Sequence, residues 1–167
     1  PASFLDFGST VTLSEVILPT GATLQSDSGT TYPIVFGLPF AAFAPKAEIT
    51  LGPLAHDDKF EVKATLTLGA SNNGIDPLTQ AVAVQVGTFS TTIPAGSFKL
   101  KKGRFTFEGV INGVKLEAVL RPLILGNNYE FKVEGKGADL TGTENPVTVK
   151  LTIGDDSGSK PVSAQFK

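Results

Sequence analysis

Apolar and polar side chains alternate with a period of two through most of this chain, the pattern of strands with one buried face. The clearest run is Phe60–Leu68, where Phe60, Val62, Ala64, Leu66 and Leu68 alternate with Glu61, Lys63, Thr65 and Thr67. The same period marks Ser9–Leu18, Ala47–Leu51, Ala81–Val86, Tyr129–Val133, Val147–Ile153 and Val162–Phe166, with Ala22–Gln25 and Phe98–Lys101 as shorter strands. Phe105–Leu120 holds two such runs around Asn112-Gly113. That dipeptide predicts a type I′ hairpin, because both central residues of the turn need φ > 0. The most apolar stretch, Thr30–Phe43, is broken by Pro33, Gly37 and Pro39. Proline cannot donate to a ladder, so this stretch belongs at a sheet edge or contains bulges. No segment sustains a helical period. Short, evenly spaced strands with turn residues between them predict an all-β antiparallel sandwich, or alternatively a single merged jelly-roll-like sandwich or barrel.

The pattern also repeats. A shift of 69 positions carries Lys46, Glu48, Leu51, Pro53 and Leu54 onto Lys115, Glu117, Leu120, Pro122 and Leu123, and Phe60–Lys63 onto Tyr129–Lys132. At a shift of 68, Gly69-Ala70 meets Gly137-Ala138; at 67, Val82, Gly87, Ser90 and Pro94 meet Val149, Gly154, Ser157 and Pro161. The shift changes inside predicted loops, where deletions are tolerated, and it keeps the inward parity that a half-buried sheet requires. Two tandem repeats are therefore expected, 29–97 and 98–167, closely packed or merged. Residues 1–28 form an N-terminal extension with one or two strands.

The repeated charges refine this picture. Lys46, Glu48, Glu61 and Lys63 recur as Lys115, Glu117, Glu130 and Lys132. On the solvent faces of neighbouring strands, opposite charges are expected to face each other, each pair contributing about 0.2–1 kcal/mol to the register. A paired-carboxylate active site at Glu48/Glu61 or Glu117/Glu130 is the sharper reading. The lysine two residues from each glutamate argues against it.

Four peptides resemble the tandem β-modules of large exported bacterial proteins. They are Phe107-Glu-Gly-Val-Ile-Asn-Gly-Val114, Gly137-Ala-Asp-Leu-Thr-Gly142, Asn145-Pro-Val-Thr-Val149 and Leu151-Thr-Ile-Gly-Asp-Asp-Ser-Gly158. The resemblance covers the second repeat well, the first more loosely and residues 1–28 hardly at all. It implies a secreted or surface β-module and carries over no functional residue.

Composition narrows the function classes. Of 167 residues, 41% are hydrophobic, enough for a core. A net charge of −2 argues against nucleic acid. Lysines interleaved with carboxylates, and apolar runs short of membrane-spanning length, argue against membrane insertion. There is no Cys, Met or Trp. The lack of cysteine removes disulfides, thiol nucleophiles and thiolate metal sites, and fits a bacterial exported protein. The chain begins at Pro1, as a processed or trimmed product would.

Candidate chemistry is sparse. His56, the sole histidine, adjoins Asp57 and Asp58, an arrangement read more simply as a solvated turn. No serine lies in Gly-x-Ser-x-Gly, and Gly135-Lys-Gly137 opens no helix. The expectation is no cofactor, with calcium as the alternative. Its candidate ligands are Asp139, Glu144, Asp155 and Asp156, taken from one oxygen-rich turn at Asp155-Asp156-Ser157 and another at Asp139–Asn145. Asn72, Asn73 and Asp76 form a third such turn. The same residue types also build ordinary turns. Sugar binding by aromatic stacking has only Tyr32 and Tyr129 to draw on, and Tyr129 takes the inward parity of Phe60.

The resulting expectation is a non-enzymatic structural or adhesive module, extracellular or on the cell surface, which self-assembles through its N-terminal strand. A carbohydrate-binding module and a hydrolase with a cleft between the repeats are the alternatives. Expected partners are another copy, a different surface protein or a glycan, with no nucleic acid. The candidate interface is Val11, Leu13, Tyr32, Phe36, Phe40 and Phe43.

Overall fold

The computed structural model describes residues 23–25, 31–33, 38–54, 56–124 and 126–167, the first two segments by their backbone. The chain divides into two compact units, Pro1–Phe36 and Gly37–Lys167. In the first, β1 (Thr23–Gln25) pairs antiparallel with β2 (Thr31–Pro33), with Leu24 opposite Tyr32. The strand expected over Ser9–Leu18 lies outside the described residues.

The second unit contains β3 (Leu38–Pro39), β4 (Ala42–Thr50), β5 (Asp58–Thr67), β6 (Val82–Val86), β7 (Phe89–Ile93), β8 (Lys99–Lys101) and β9 (Arg104–Ile111). It continues with β10 (Val114–Pro122), β11 (Asn128–Ala138), β12 (Val147–Ile153), β13 (Asp156–Val162) and β14 (Gln165–Phe166). No helix occurs among the described residues. One sheet has seven strands in the order β14-β4-β5-β11-β10-β9-β8; the other has five, β3-β13-β12-β6-β7. They pack face to face as an all-β sandwich. All neighbours are antiparallel except the two-residue strands β3 and β14, which run parallel to β13 and β4.

Alternation explains the core. Phe60, Val62, Ala64 and Leu66 on β5, Leu116, Ala118 and Leu120 on β10, and Phe131 and Val133 on β11 are buried from the larger sheet. Val82, Val84 and Val86 on β6 and Val147, Val149, Leu151 and Ile153 on β12 are buried from the smaller. An aromatic pair joins the layers, the Phe60 and Phe89 rings lying 5.2 Å apart by centroid; Phe98, in the connection before β8, sits 5.9 Å from Phe107 on β9. Pro45 fits within β4 because β14 pairs with that strand only at Glu48 and Ile49. Asn112 and Gly113 have φ of 50° and 84°, as the type I′ turn requires.

The two repeats contribute to both sheets. β5 pairs with β11, and β6 with β12. At the middle of the larger sheet Lys63 faces Lys132, its own repeat equivalent; in the smaller sheet Val84 faces Leu151, again its equivalent. Each sheet thus has an approximate twofold relation between its halves.

Three sequence expectations need correction. First, β5 begins at Asp58, and Phe89–Ile93 forms a strand, β7, that the sequence reading leaves unassigned. Second, Asp155-Asp156-Ser157 is not one turn. Gly154, at φ 60°, opens a two-residue turn that ends at Asp155, and Asp156 already belongs to β13, opposite Ile153. Third, opposite charges do not face each other. Lys46 faces Lys63 and Glu48 faces Glu61. A Lys-x-Glu strand set antiparallel to a Glu-x-Lys strand puts like on like at this register. The loop between them helps fix the register: the buried Asp58 carboxylate accepts Gly52 N at 2.8 Å and, from the next loop, Leu140 N at 2.7 Å.

Candidate functional site

The outward face of the seven-stranded sheet carries charge in rows that run across the strands. Successive side chains on a strand point to opposite faces, so residues paired across strands share a face. One row reads Glu48, Glu61, Glu134, Glu117 and Glu108 over β4, β5, β11, β10 and β9. On one side of it lie Lys59, Lys136 and Lys115. On the other lie Lys46, Lys63 and Lys132.

Like charges directly opposite are unfavourable, and the side chains relieve this by leaning into the next row. Lys132 reaches Glu61 at 3.0 Å and Glu134 at 2.6 Å. Lys63 also bonds Glu61. Lys115 reaches Glu117 at 3.1 Å and Glu108 at 3.5 Å, and Lys167 reaches Glu48 at 2.5 Å. Glu61 is three-quarters covered, with 26% of its side chain exposed. The bond from Lys63, together with Lys132 and against the cost of burial, lowers its pKa to about 2. Lys115 likewise holds Glu117 below the usual carboxylate range. These carboxylates are fixed in the ionised form, the opposite of the raised pKa that a general acid needs.

Beside the glutamate row a groove of about 650 Å³ crosses the sheet. Its charged lining is Lys46, Lys63, Lys132, Arg104, Arg121 and Glu130, over a floor that includes Ala44, Thr65 and Val119. Arg121 Nε donates to Glu130 Oε2 at 3.0 Å, and its Nη2 bonds the same oxygen. Among the described residues, neither Lys46 nor Arg104 forms an ion pair. The five cations occupy five adjacent strands, one per strand from β4 to β9. The opposite face of the sandwich differs in kind. Its groove, about 460 Å³, is lined by Gln85, Ser90, Thr91, Thr92 and Thr152, with Lys150 as its single charge.

The four calcium candidates do not converge. Asp139 and Glu144 lie in the loop before β12, whereas Asp155 and Asp156 follow it. The seven residues of β12 set these pairs about 20 Å apart. Asp139 is exposed. Bonds from the Thr141 hydroxyl and backbone N–H hold its carboxyl below the usual range. Glu144 is exposed as well. Asp155 accepts Asn73 Nδ2 at 3.4 Å. Among the described residues no group of three or more His, Cys, Asp or Glu is placed to hold a metal.

Asp156 is the unusual member. It is 0% exposed, and neither carboxylate oxygen has a hydrogen-bond partner. Burial, then the charge of Asp155, raises its pKa. Its repeat equivalent is Phe89, which packs on Phe60. The equivalent of Phe60 is Tyr129, whose pKa is raised by burial and by the Asp156 charge. The second repeat therefore holds a tyrosine and an acid where the first holds a phenylalanine pair.

Of the candidate interface residues, Val11, Leu13 and Phe36 lie outside the described residues, and Tyr32 sits on β2. Phe40 is buried, with its ring 5.8 Å from that of half-buried Phe43. His56 occupies an exposed turn at φ 62°. Sequence reasoning missed the groove because its cations come from five strands spread between Lys46 and Lys132. The available clue was the repeat itself, which places Lys63 beside its own equivalent.

No family model, curated protein or solved structure matches this chain.

Proposed function

We propose that the chain is a non-enzymatic adhesive or structural module of an extracellular or cell-surface bacterial protein, which works by displaying a binding face. The observation that supports this most directly is the outward face of the seven-stranded sheet. It is a broad surface whose charges are registered over five strands and on which Glu61 and Glu117 are held ionised by neighbouring lysines. Ionised, lysine-bound carboxylates suit recognition through fixed charge, whereas acid–base catalysis needs a carboxyl that keeps its proton near neutrality. A composition without cysteine, with nothing for an oxidising compartment to cross-link, supports the location.

The test is to incubate the protein with a panel of cell-surface polysaccharides and surface proteins, measuring both retention and chemical change. Retention of at least one ligand class, with the ligand recovered intact, is the expected outcome. Release of new reducing ends, or any other turnover, would replace this reading with the hydrolase alternative. Retention of nothing on the panel would also count against it.

A further inference from the structure

We propose that the groove across β4, β5, β11, β10 and β9 binds an anionic polysaccharide, a chain with a carboxylate on successive sugars, through its five cations, three of them lysines in one cross-strand row. The proposal rests on the adhesive reading above and names its ligand.

Three features support it. The first is charge. The whole chain carries −2, yet Lys46, Lys63, Lys132, Arg104 and Arg121 line the groove against the single acid Glu130. Lys46 and Arg104, at the two ends, have no ion pair among the described residues. Lys46, Lys63 and Lys132 stand directly opposite one another on adjacent strands, where like charges repel. Glu61 and Glu134 offset that repulsion for Lys63 and Lys132 but not for Lys46, and a polyanion laid along the row would neutralise what is left.

The second is spacing. Adjacent strands lie about 4.8 Å apart, so the in-register lysines Lys46, Lys63 and Lys132 repeat at that interval, while Arg121 and Arg104 extend the basic strip two residues further along their strands. This step is close to the rise per residue of an extended β-linked sugar chain, and it pairs one cation with one uronate.

The third is the floor and the border. Ala44, Thr65 and Val119 leave room for a ribbon-like chain, and the Arg121–Glu130 pair offers donors and an acceptor to sugar hydroxyls. A nucleic acid fits less well. Its phosphates recur about every 1.7 Å of duplex axis, against a border of five glutamates. Single strands also want aromatic stacking platforms, whereas Phe131, the aromatic residue at the groove, is 2% exposed and belongs to the core.

The experiment is calorimetric titration of the full chain with a β-linked mannuronate oligomer and with the same oligomer methyl-esterified, at low and at physiological salt. A thymidine oligonucleotide of equal charge is the third probe. The expected result is binding of the acid form that weakens with salt, and binding of the ester weaker by about tenfold or more. K46Q/R104Q removes two cations that hold no ion pair, so the fold is undisturbed, and affinity for the acid form should fall by about tenfold. K150Q, on the opposite sheet, should leave that affinity unchanged. Equal binding of acid and ester, no binding of the acid form, or full affinity in K46Q/R104Q would overturn the proposal. Tighter binding of the oligonucleotide would also overturn it, in favour of nucleic acid. These results leave the adhesive reading standing if the protein still retains a neutral glycan or a surface protein; only turnover, or an empty panel, removes that.

Discussion

Replacing Asp156 with leucine should stabilise this protein, and by more at neutral pH than in acid. The carboxyl group is 0% exposed and neither of its oxygens is hydrogen-bonded. A buried polar group without a partner costs about 1–3 kcal/mol, and leucine removes that cost while keeping the branching at Cγ. Two methyl groups in place of two oxygens add about 1.6 kcal/mol of apolar burial. Crowding of their slightly larger volume takes back about 1–3 kcal/mol. The net expectation near neutral pH is a gain of about 1–3 kcal/mol. The pH dependence is the sharper part. The folded-state pKa lies above the ordinary 3.8, so the folded chain holds its proton more tightly than the unfolded chain. Stability from this group is complete below 3.8 and is lost as pH rises from there through the folded-state value, at about 1.4 kcal/mol per pH unit. Asp156→Leu lacks that slope, so its advantage over wild type should widen with pH. Asp156→Asn should flatten the slope without the apolar gain. Urea denaturation followed by far-ultraviolet circular dichroism, from about pH 3 to about pH 8, measures both. The reasoning fails if Asp156→Leu is less stable than wild type near neutrality, or if its advantage does not change with pH. Either outcome would mean that the carboxylate has a partner, and a loss of stability that calcium enlarges would identify that partner as a cation.

Three further predictions address the rest of the sheet. Glu61→Gln should weaken the acid limb of stability: Glu61 titrates at about 2 instead of 4.5, so its contribution is present above 4.5 and disappears as pH falls between those values. Solvent screening limits the effect to about 1 kcal/mol, and superimposable acid limbs in urea titrations would contradict it. Asp58→Ala should cost about 3 kcal/mol, because the N–H groups of Gly52 and Leu140 both lose their acceptor; hydrogen exchange should accelerate at those two amides and not in β12. Gly135→Ala should cost about 1–3 kcal/mol, since its Cβ would lie 2.2 Å from Cε1 of Phe60; an unchanged melting temperature would show that the ring moves aside freely.

Strand positions and the inward side chains were legible in the sequence wherever alternation was uninterrupted. Phe60–Leu68 and Val147–Ile153 became β5 and β12 with little change, and Asn112-Gly113 formed its turn. What alternation cannot supply is register. Sliding β4 along β5 by two residues keeps every apolar side chain inward and exchanges like-charge for opposite-charge neighbours. The choice rests on Asp58 gathering two loops, a contact between distant segments. Both buried acids were nonetheless within reach. Asp58 shares the parity of Phe60 and Val62, and Asp156 falls on Phe89 at the shift of 67. Turn-forming residue types drew attention to local loops at positions where parity already pointed inward.

The repeat makes the like-charge rows close to unavoidable. When two copies of a strand pair antiparallel about a twofold relation, the residue at the centre meets its own equivalent. An outward lysine at that position becomes two adjacent lysines, Lys63 and Lys132. In the smaller sheet the central residues are Val84 and Leu151, which face inward, so the same self-pairing adds apolar contact without repulsion. Compensation in the larger sheet has to come from neighbouring rows, and Glu61 supplies it by bonding both lysines. Its repeat equivalent, Glu130, bonds Arg121 instead. That break in symmetry matters for the groove: Glu61 serves the two central lysines from the glutamate row, and Glu130 is the one carboxylate among the groove's cations. Two equivalent glutamates with different partners give the sheet a neutralised centre and a basic flank, an arrangement that neither repeat alone contains.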